Sequence, residues 1–296
     1  MYGVARKDFK VDLQPVTSLA GKTFCIVGGT GGVGQAIAKE AASKGADVTV
    51  VGRTFKDAGV TNITFVQKDL SDMRAADALG RELPPADYTV LTTGIVPGKT
   101  RETTPDGIEK DMAVSCLSRL LILRGLTPRL NPGARVFVYG MPGNGEKASR
   151  LDDVNSEKAY AGGFGFTHMN TVAANEALVH ALAAPDAALR ARGVSVFGVN
   201  PGLLVTDIRG AMHGGRSTWS GAAMEWVLGR FTPALPKYAA TMVSLFAAPG
   251  LDAHSGALFG QKGTPILPNK QFAENPARAG EWVAALDDLL KTKAGL

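Results

Sequence analysis

Short runs of consecutive apolar or β-branched residues alternate along this chain with longer stretches in which apolar residues return every three or four positions. The runs at 22–27, 47–51, 63–66, 87–91, 134–139, 194–199 and 256–259 read as strands. Helical spacing fills 33–44, where Val33, Ile37, Ala38 and Ala41 share a face, and Gly45 stands where a helix stops. The same spacing predicts helices over 72–82, 108–124, 168–184, 237–247 and 277–292. Continuously apolar strands separated by helices imply a parallel sheet covered on both faces. Right-handed crossovers then give a doubly wound α/β sheet of about seven strands. The pattern predicts an N-terminal extension over 1–20 and one domain over 21–296. Residues 207–236, rich in Gly, Trp and Met, are expected to form a lid over the carboxyl edge of the sheet. Within it, His213, Trp219 and Trp226 are candidates for a substrate pocket.

Composition narrows the class. With 296 residues, 45% apolar and 20% charged, the chain can bury a sizeable core, and disordered, collagen-like and low-complexity readings fail. The net charge of +5 is spread rather than clustered, so no nucleic-acid partner is expected. Cys25 and Cys116 are too few for a disulfide framework or a Cys-rich zinc site, and buried thiols suit a reducing compartment. The scattered His180, His213 and His254 have no metal-ligand spacing, so no metal is expected. The N-terminal stretch has no leader-like apolar run, and none reaches the roughly 18 apolar residues of a membrane span. A cytoplasmic location is the expectation.

The first strand ends in Val27-Gly28-Gly29-Thr30-Gly31-Gly32-Val33-Gly34, which opens the first helix. Glycines here permit a tight turn and let backbone N–H groups approach a pyrophosphate, and the helix N-terminus adds a positive field. The spacing Gly28-x-x-x-Gly32-Val33-Gly34 resembles the short-chain dehydrogenase/reductase family, a Rossmann-type fold whose loop reads Thr-Gly-x-x-x-Gly-x-Gly, with Val27 in the threonine's place. The resemblance implies a dinucleotide held by Gly28, Thr30, Gly31, Gly32, Val33 and Gly34. The family often carries an acidic residue after the second strand to read the ribose 2′-hydroxyl. This chain has Gly52-Arg53-Thr54 there, so Arg53 and Thr54 suit a 2′-phosphate and favour NADP(H) over NAD(H). The resemblance further places Asp69 and Leu70 at the adenine, and Thr92-Thr93-Gly94 where the family usually has Asn-Ala-Gly. Asn200-Pro201-Gly202 and Thr206 match its turn near the nicotinamide.

The family's proton relay is a Tyr-x-x-x-Lys pair on the fifth helix, with a serine after the fifth strand and an asparagine on the fourth helix. Two registers fit the fifth helix here. One places His168 and Val172 at the tyrosine and lysine positions, and the other places Phe166 and Asn170 there. Tyr139-Gly140-Met141 occupies the serine's place, and Ser115 the asparagine's. Catalytic candidates are therefore His168, Tyr139, Ser115 and Asn170, with His168 the best substitute acid because imidazole titrates near neutrality. Glu157-Lys158 and Asn200-Pro201-Gly202 resemble a divergent, retinol-dehydrogenase-like branch. The expectation is an NADP(H)-dependent oxidoreductase acting on a small-molecule carbonyl or alcohol, as a homodimer or homotetramer. An isomerase or cyclase on the same fold, or a non-catalytic NADP(H)-sensing scaffold, stands as the alternative.

Overall fold

The structure is a computed structural model and describes residues 3–144, 149–202, 204 and 234–296. Eight strands form one sheet: β1 (Thr23–Val27), β2 (Asp47–Gly52), β3 (Ile63–Gln67), β4 (Tyr88–Leu91), β5 (Arg135–Tyr139), β6 (Ser195–Val199), β7 (Leu258–Phe259) and β8 (Pro265–Ile266). Their order is β3-β2-β1-β4-β5-β6-β7-β8. The first seven pair in parallel, and β8 runs antiparallel to β7. The eighth strand adds one to the about seven expected. It is two residues long and begins with proline, too short to show any alternation.

Alternation along each strand decides which face a side chain joins. Val27, Val51, Leu91, Val136 and Val138 point to the face covered by α2 (Met73–Glu82), α4 (Ser118–Leu126), α5 (Phe166–Leu182) and the C-terminal helix Arg278–Leu289. Ile26, Val50, Val90, Phe137 and Tyr139 point to the other, against α1 (Gly32–Ser43) and the helix Leu235–Phe246. The fourth-helix rod begins as α3 (Lys110–Met112), passes through a π-turn (Ala113–Leu117) and continues as α4. It starts at Lys110 rather than 108 because the Glu109 carboxylate accepts the Met112 N–H at 2.8 Å and caps it. Asp72 caps α2 in the same way, accepting from the N–H groups of Arg74 and Ala75. Helix α5 begins at Phe166, two residues before the expected start, and is buried from Thr167 to Val179.

The N-terminal stretch is tied to the domain. Ala5 bridges Ile266 antiparallel, Leu267 N–H donates to Val4 O at 2.7 Å, and Arg6 N–H donates to Pro265 O at 3.0 Å. Farther on, Phe9 stacks on His254 with ring centroids 4.0 Å apart, and Val11 and Leu13 pack on the core. Of the expected lid, only residues 234–236 fall among the described ones; Thr206, His213, Trp219 and Trp226 lie outside them.

Helices α2 and α4 cross backbone to backbone. A Cβ on Gly125 would sit 2.5 Å from the carbonyl carbon of Gly80, and one on Gly80 would sit 2.7 Å from Ile122 O. Arg129 ties the crossing by donating to Leu83 O and Gly80 O. Gly125→Ala should force the helices apart. The expected outcome is a loss of about 1–3 kcal/mol and a fall in Tm of roughly 2–10 °C, read by thermal unfolding.

Candidate active site

The order of the strands reverses between β1 and β4, so the connections after them leave toward opposite faces and open a crevice at their carboxyl ends. A cavity of about 620 Å³ occupies it. The glycine loop forms one wall. Gly28 has φ +91°, donates its N–H to Val51 O at 2.9 Å, and has no room for a Cβ, which would meet Thr93 N at 2.5 Å. A Cβ on Gly34 would meet Gly28 O at 2.4 Å. The loop therefore lies directly on the chain leaving β4. Helix α1 starts at Gly32 with no side-chain cap and no acidic residue in its first turn. Its first N–H groups and its positive end face the cavity without a competing carboxylate. Thr30 packs on Gly52, where a Cβ would lie 2.3 Å from Thr30 Oγ1. Beyond Gly52, the exposed Arg53 lines the cavity beside Asp69. Two donors from Ser71, its N–H at 3.0 Å and its hydroxyl at 2.8 Å, hold the Asp69 carboxyl below the usual carboxylate range.

His168 lies in the first turn of α5 and lines the same cavity. Its Nδ1 lies 2.7 Å from Asp111 Oδ2. Asp111, fully buried, accepts the Ser115 hydroxyl on Oδ1 at 2.6 Å, and Ser115 Oγ accepts the Ile95 N–H at 2.9 Å. The Phe164 ring meets the imidazole edge-on, 5.5 Å between centroids. One turn beyond His168, Val172 lines the cavity with Thr171 and Asn175. The Arg119 guanidinium, buried in α4, donates to Thr93 O, Tyr139 O and Asn175 Oδ1. Asn175 in turn donates to Ser115 O and Thr171 O, both at 2.8 Å. Burial pushes Arg119 down to about 10, and its three acceptors are neutral oxygens.

A family model for short chain dehydrogenases matches residues 22–150. An uncharacterized oxidoreductase of Saccharomyces cerevisiae, YKL107W, is 40% identical over 260 residues, which are 82% of this chain and 80% of the yeast protein. This chain belongs to the short-chain dehydrogenase/reductase family. Retinol dehydrogenase 12 of Homo sapiens is 25% identical over 206 residues, 64% of each protein. The Pseudomonas aeruginosa RhlG/NADP active-site complex shares the fold, with a TM-score of 0.60 at 21% identity over 84% of this chain and 98% of that one.

The cavity of this family member gathers most of the residues singled out from the sequence. Gly28, Thr30, Gly31, Gly32, Val33, Gly34, Arg53, Asp69 and Leu70 border it on the loop side. Thr92, Thr93, Gly94, Ser115, His168, Pro201 and Gly202 also border it. Three sequence candidates are corrected. Thr54 is exposed and off the cavity lining, because β2 ends at Gly52 and the chain has turned away. Asn170, two residues from His168, faces the other side of α5. It is spent on Asp153 O at 2.9 Å and the Arg150 N–H at 2.6 Å. Of the two registers, His168 and Val172 line the cavity; Phe166 and Asn170 do not. Tyr139 borders the cavity, but its phenol lies in the core on the sheet face opposite α5, with its hydroxyl 3.4 Å from that of Tyr238. Burial raises it well above the usual tyrosine range.

Sequence reasoning missed Asp111 and Arg119. Arg119 carried a signal, a lone charge inside the run Leu117–Leu123, at a position where a helix buried on all sides leaves no water. Among the described residues no group of His, Cys, Asp and Glu could hold a metal ion, and no helix is long and apolar enough to cross a membrane.

Glu109, which caps the helix carrying Asp111, is pushed up to about 7, chiefly by burial. Its ordinary value in the unfolded chain is 4.5. Between those values the folded chain holds a proton that the unfolded chain has released, so stability falls as pH rises through that window. The loss reaches roughly 3 kcal/mol. Glu109→Gln should flatten this slope, leaving the variant relatively more stable above neutral pH than in acid, as measured by denaturant unfolding across the window.

Proposed function

We propose that this chain is an NADP(H)-dependent oxidoreductase that interconverts a carbonyl and an alcohol, with His168 as the proton-transfer group. The observation that carries the reading is that one cavity takes in both the glycine loop and the His168 imidazole. The loop fits a dinucleotide. Gly28 and Gly34 have no space for side chains, and the open end of α1 suits a pyrophosphate. With Gly52 in place of a carboxylate and Arg53 beside it, the ribose end suits a 2′-phosphate, and the RhlG complex that shares this fold holds NADP. Asp69 and Leu70 would border the adenine, and Thr93, Gly94, Pro201 and Gly202 the nicotinamide half.

When bound, the nicotinamide would supply or accept the hydride at the substrate carbon. The rest is the chain's own work. In the direction of reduction, His168 gives the proton on Nε2 to the carbonyl oxygen, so hydride and proton together make the alcohol, and the neutral imidazole recovers a proton from solvent. In oxidation the neutral imidazole takes the hydroxyl proton. Val172 brings no charge to the position one turn on. The buried free thiols Cys25 and Cys116 support a cytoplasmic location, and the family resemblance supports a homodimer or homotetramer.

A second reading, an isomerase or cyclase, rests on the same imidazole. His168 can move a proton without any hydride transfer, so turnover with no change in nicotinamide absorbance would select it.

Two measurements test the leading reading. In a fluorescence titration, NADPH should bind more tightly than NADH, and Arg53→Ala should weaken NADPH by about tenfold while leaving NADH nearly unchanged. Equal losses would overturn the cofactor assignment. His168→Ala should slow carbonyl reduction by about 10²–10⁴-fold at unchanged NADPH affinity; an unchanged rate would remove His168 from the chemistry.

A further inference from the structure

A histidine that passes protons through one nitrogen works only if the other nitrogen is fixed. His168 has one nitrogen engaged, Nδ1 at 2.7 Å from Asp111 Oδ2, and Nε2 forms no hydrogen bond among the described residues. The direction of that bond follows from a chain of donors that ends in a group with no choice. The Ile95 backbone N–H can only donate, and it donates to Ser115 Oγ at 2.9 Å. The Ser115 hydroxyl proton is then directed at Asp111 Oδ1, 2.6 Å away. Asp111 therefore stands as an acceptor toward Ser115 on one oxygen and toward His168 Nδ1–H on the other.

Local structure holds this arrangement. Asp111 and Ser115 are four residues apart across the start of the π-turn at Ala113–Leu117, on one side of the rod. Ser115 is held from behind, since its carbonyl accepts from Asn175, which Arg119 also grips. Asp111 is fully buried, so water does not compete for its oxygens. Phe164 covers one edge of the imidazole.

We infer that Asp111 is the positioning residue of this site: it confines the neutral His168 to the Nδ1–H tautomer, so that Nε2 alone faces the cavity and exchanges protons with substrate. Ser115 and the Ile95 N–H act through Asp111 by fixing its rotamer. This rests on the reading of His168 as the proton-transfer group. It assigns to the fourth helix a carboxylate four residues before Ser115, which stands in the place of the family's asparagine, and a task of orientation rather than water relay.

The test separates the two. The full chain, labelled with nitrogen-15 histidine, is examined by long-range proton–nitrogen NMR, and His168 is assigned by its loss in His168→Gln. Wild type should show His168 as the Nδ1–H tautomer. Asp111→Asn offers an amide N–H to Nδ1 and should move it to the Nε2–H form. The kcat for NADPH-dependent reduction of a nitrobenzaldehyde probe should fall by about 10²-fold or more, with NADPH affinity unchanged. Asp111→Glu should restore the tautomer and part of the rate. Ser115→Ala, which leaves charge and volume at 111 intact, should produce a smaller shift in the same direction, and serves if Asp111→Asn does not fold. A wild-type Nε2–H tautomer, or a tautomer unmoved by either substitution, would overturn the inference. A tautomer that moves while the rate does not would uphold the positioning role and defeat the reading of His168 as the proton donor.

Discussion

The parting of the connections between β1 and β4 is the constraint on which this molecule depends. A parallel sheet buried on both faces needs helical crossovers, and their fixed hand makes the strand order reverse once. Only there can a crevice open at the carboxyl edge without exposing the core. Everything that lines it is set by that geometry. The glycine loop must lie on the chain leaving β4, so Gly28 and Gly34 carry no side chain. The rod from Lys110 to Leu126 and helix α5 must lie side by side on one face, which brings Asp111, Ser115 and Arg119 against His168 and Asn175.

Buried charge sets the second level of organisation. Among the described residues Arg119 has no carboxylate partner; it donates to three neutral oxygens from three separate segments, Thr93, Tyr139 and Asn175, and its Nε finds no acceptor. Such a group is costly to bury and tolerates little displacement, so it pins the ends of β4 and β5 to α5. Asp111, a short way along the same rod, forms the complementary pair with His168 of α5. The proton-transfer machinery proposed above thus rests on a frame whose polar groups have almost no slack.

The strands, the doubly wound parallel sheet and the glycine loop were legible because they arise from short-range rules: continuous apolar runs, alternation, and glycine where a Cβ has no room. His168 stood out because one of the two registers put a titratable residue in the place of the family's tyrosine. Tyr139 was misplaced, although its parity with Phe137 puts it on the α1 side of the sheet. Asn170 failed for the helical counterpart of that reason, since two residues from His168 is the wrong side of the turn. Asp111 was invisible. It sits between Lys110 and Met112 and reads as half of a solvated pair, whereas its partner is 57 residues away. Glu109 beside it conceals its burial in the same manner. The eighth strand escaped because two residues carry no period.

The attachment of residues 4–6 to Pro265–Leu267 bears on how the chain is made. Residues 4–6 leave a ribosome long before the segment they pair with. Until then the opening stretch has no native strand to join, and Phe9, Val11 and Leu13 have no completed surface to cover. The β1 to β6 body can assemble as it appears, but the edge at β8 is covered only after β8 itself is made, by residues far earlier in the chain. Nascent chains therefore carry an unguarded sheet edge and loose apolar side chains throughout translation, the state in which sheet proteins are most exposed to wrong pairing.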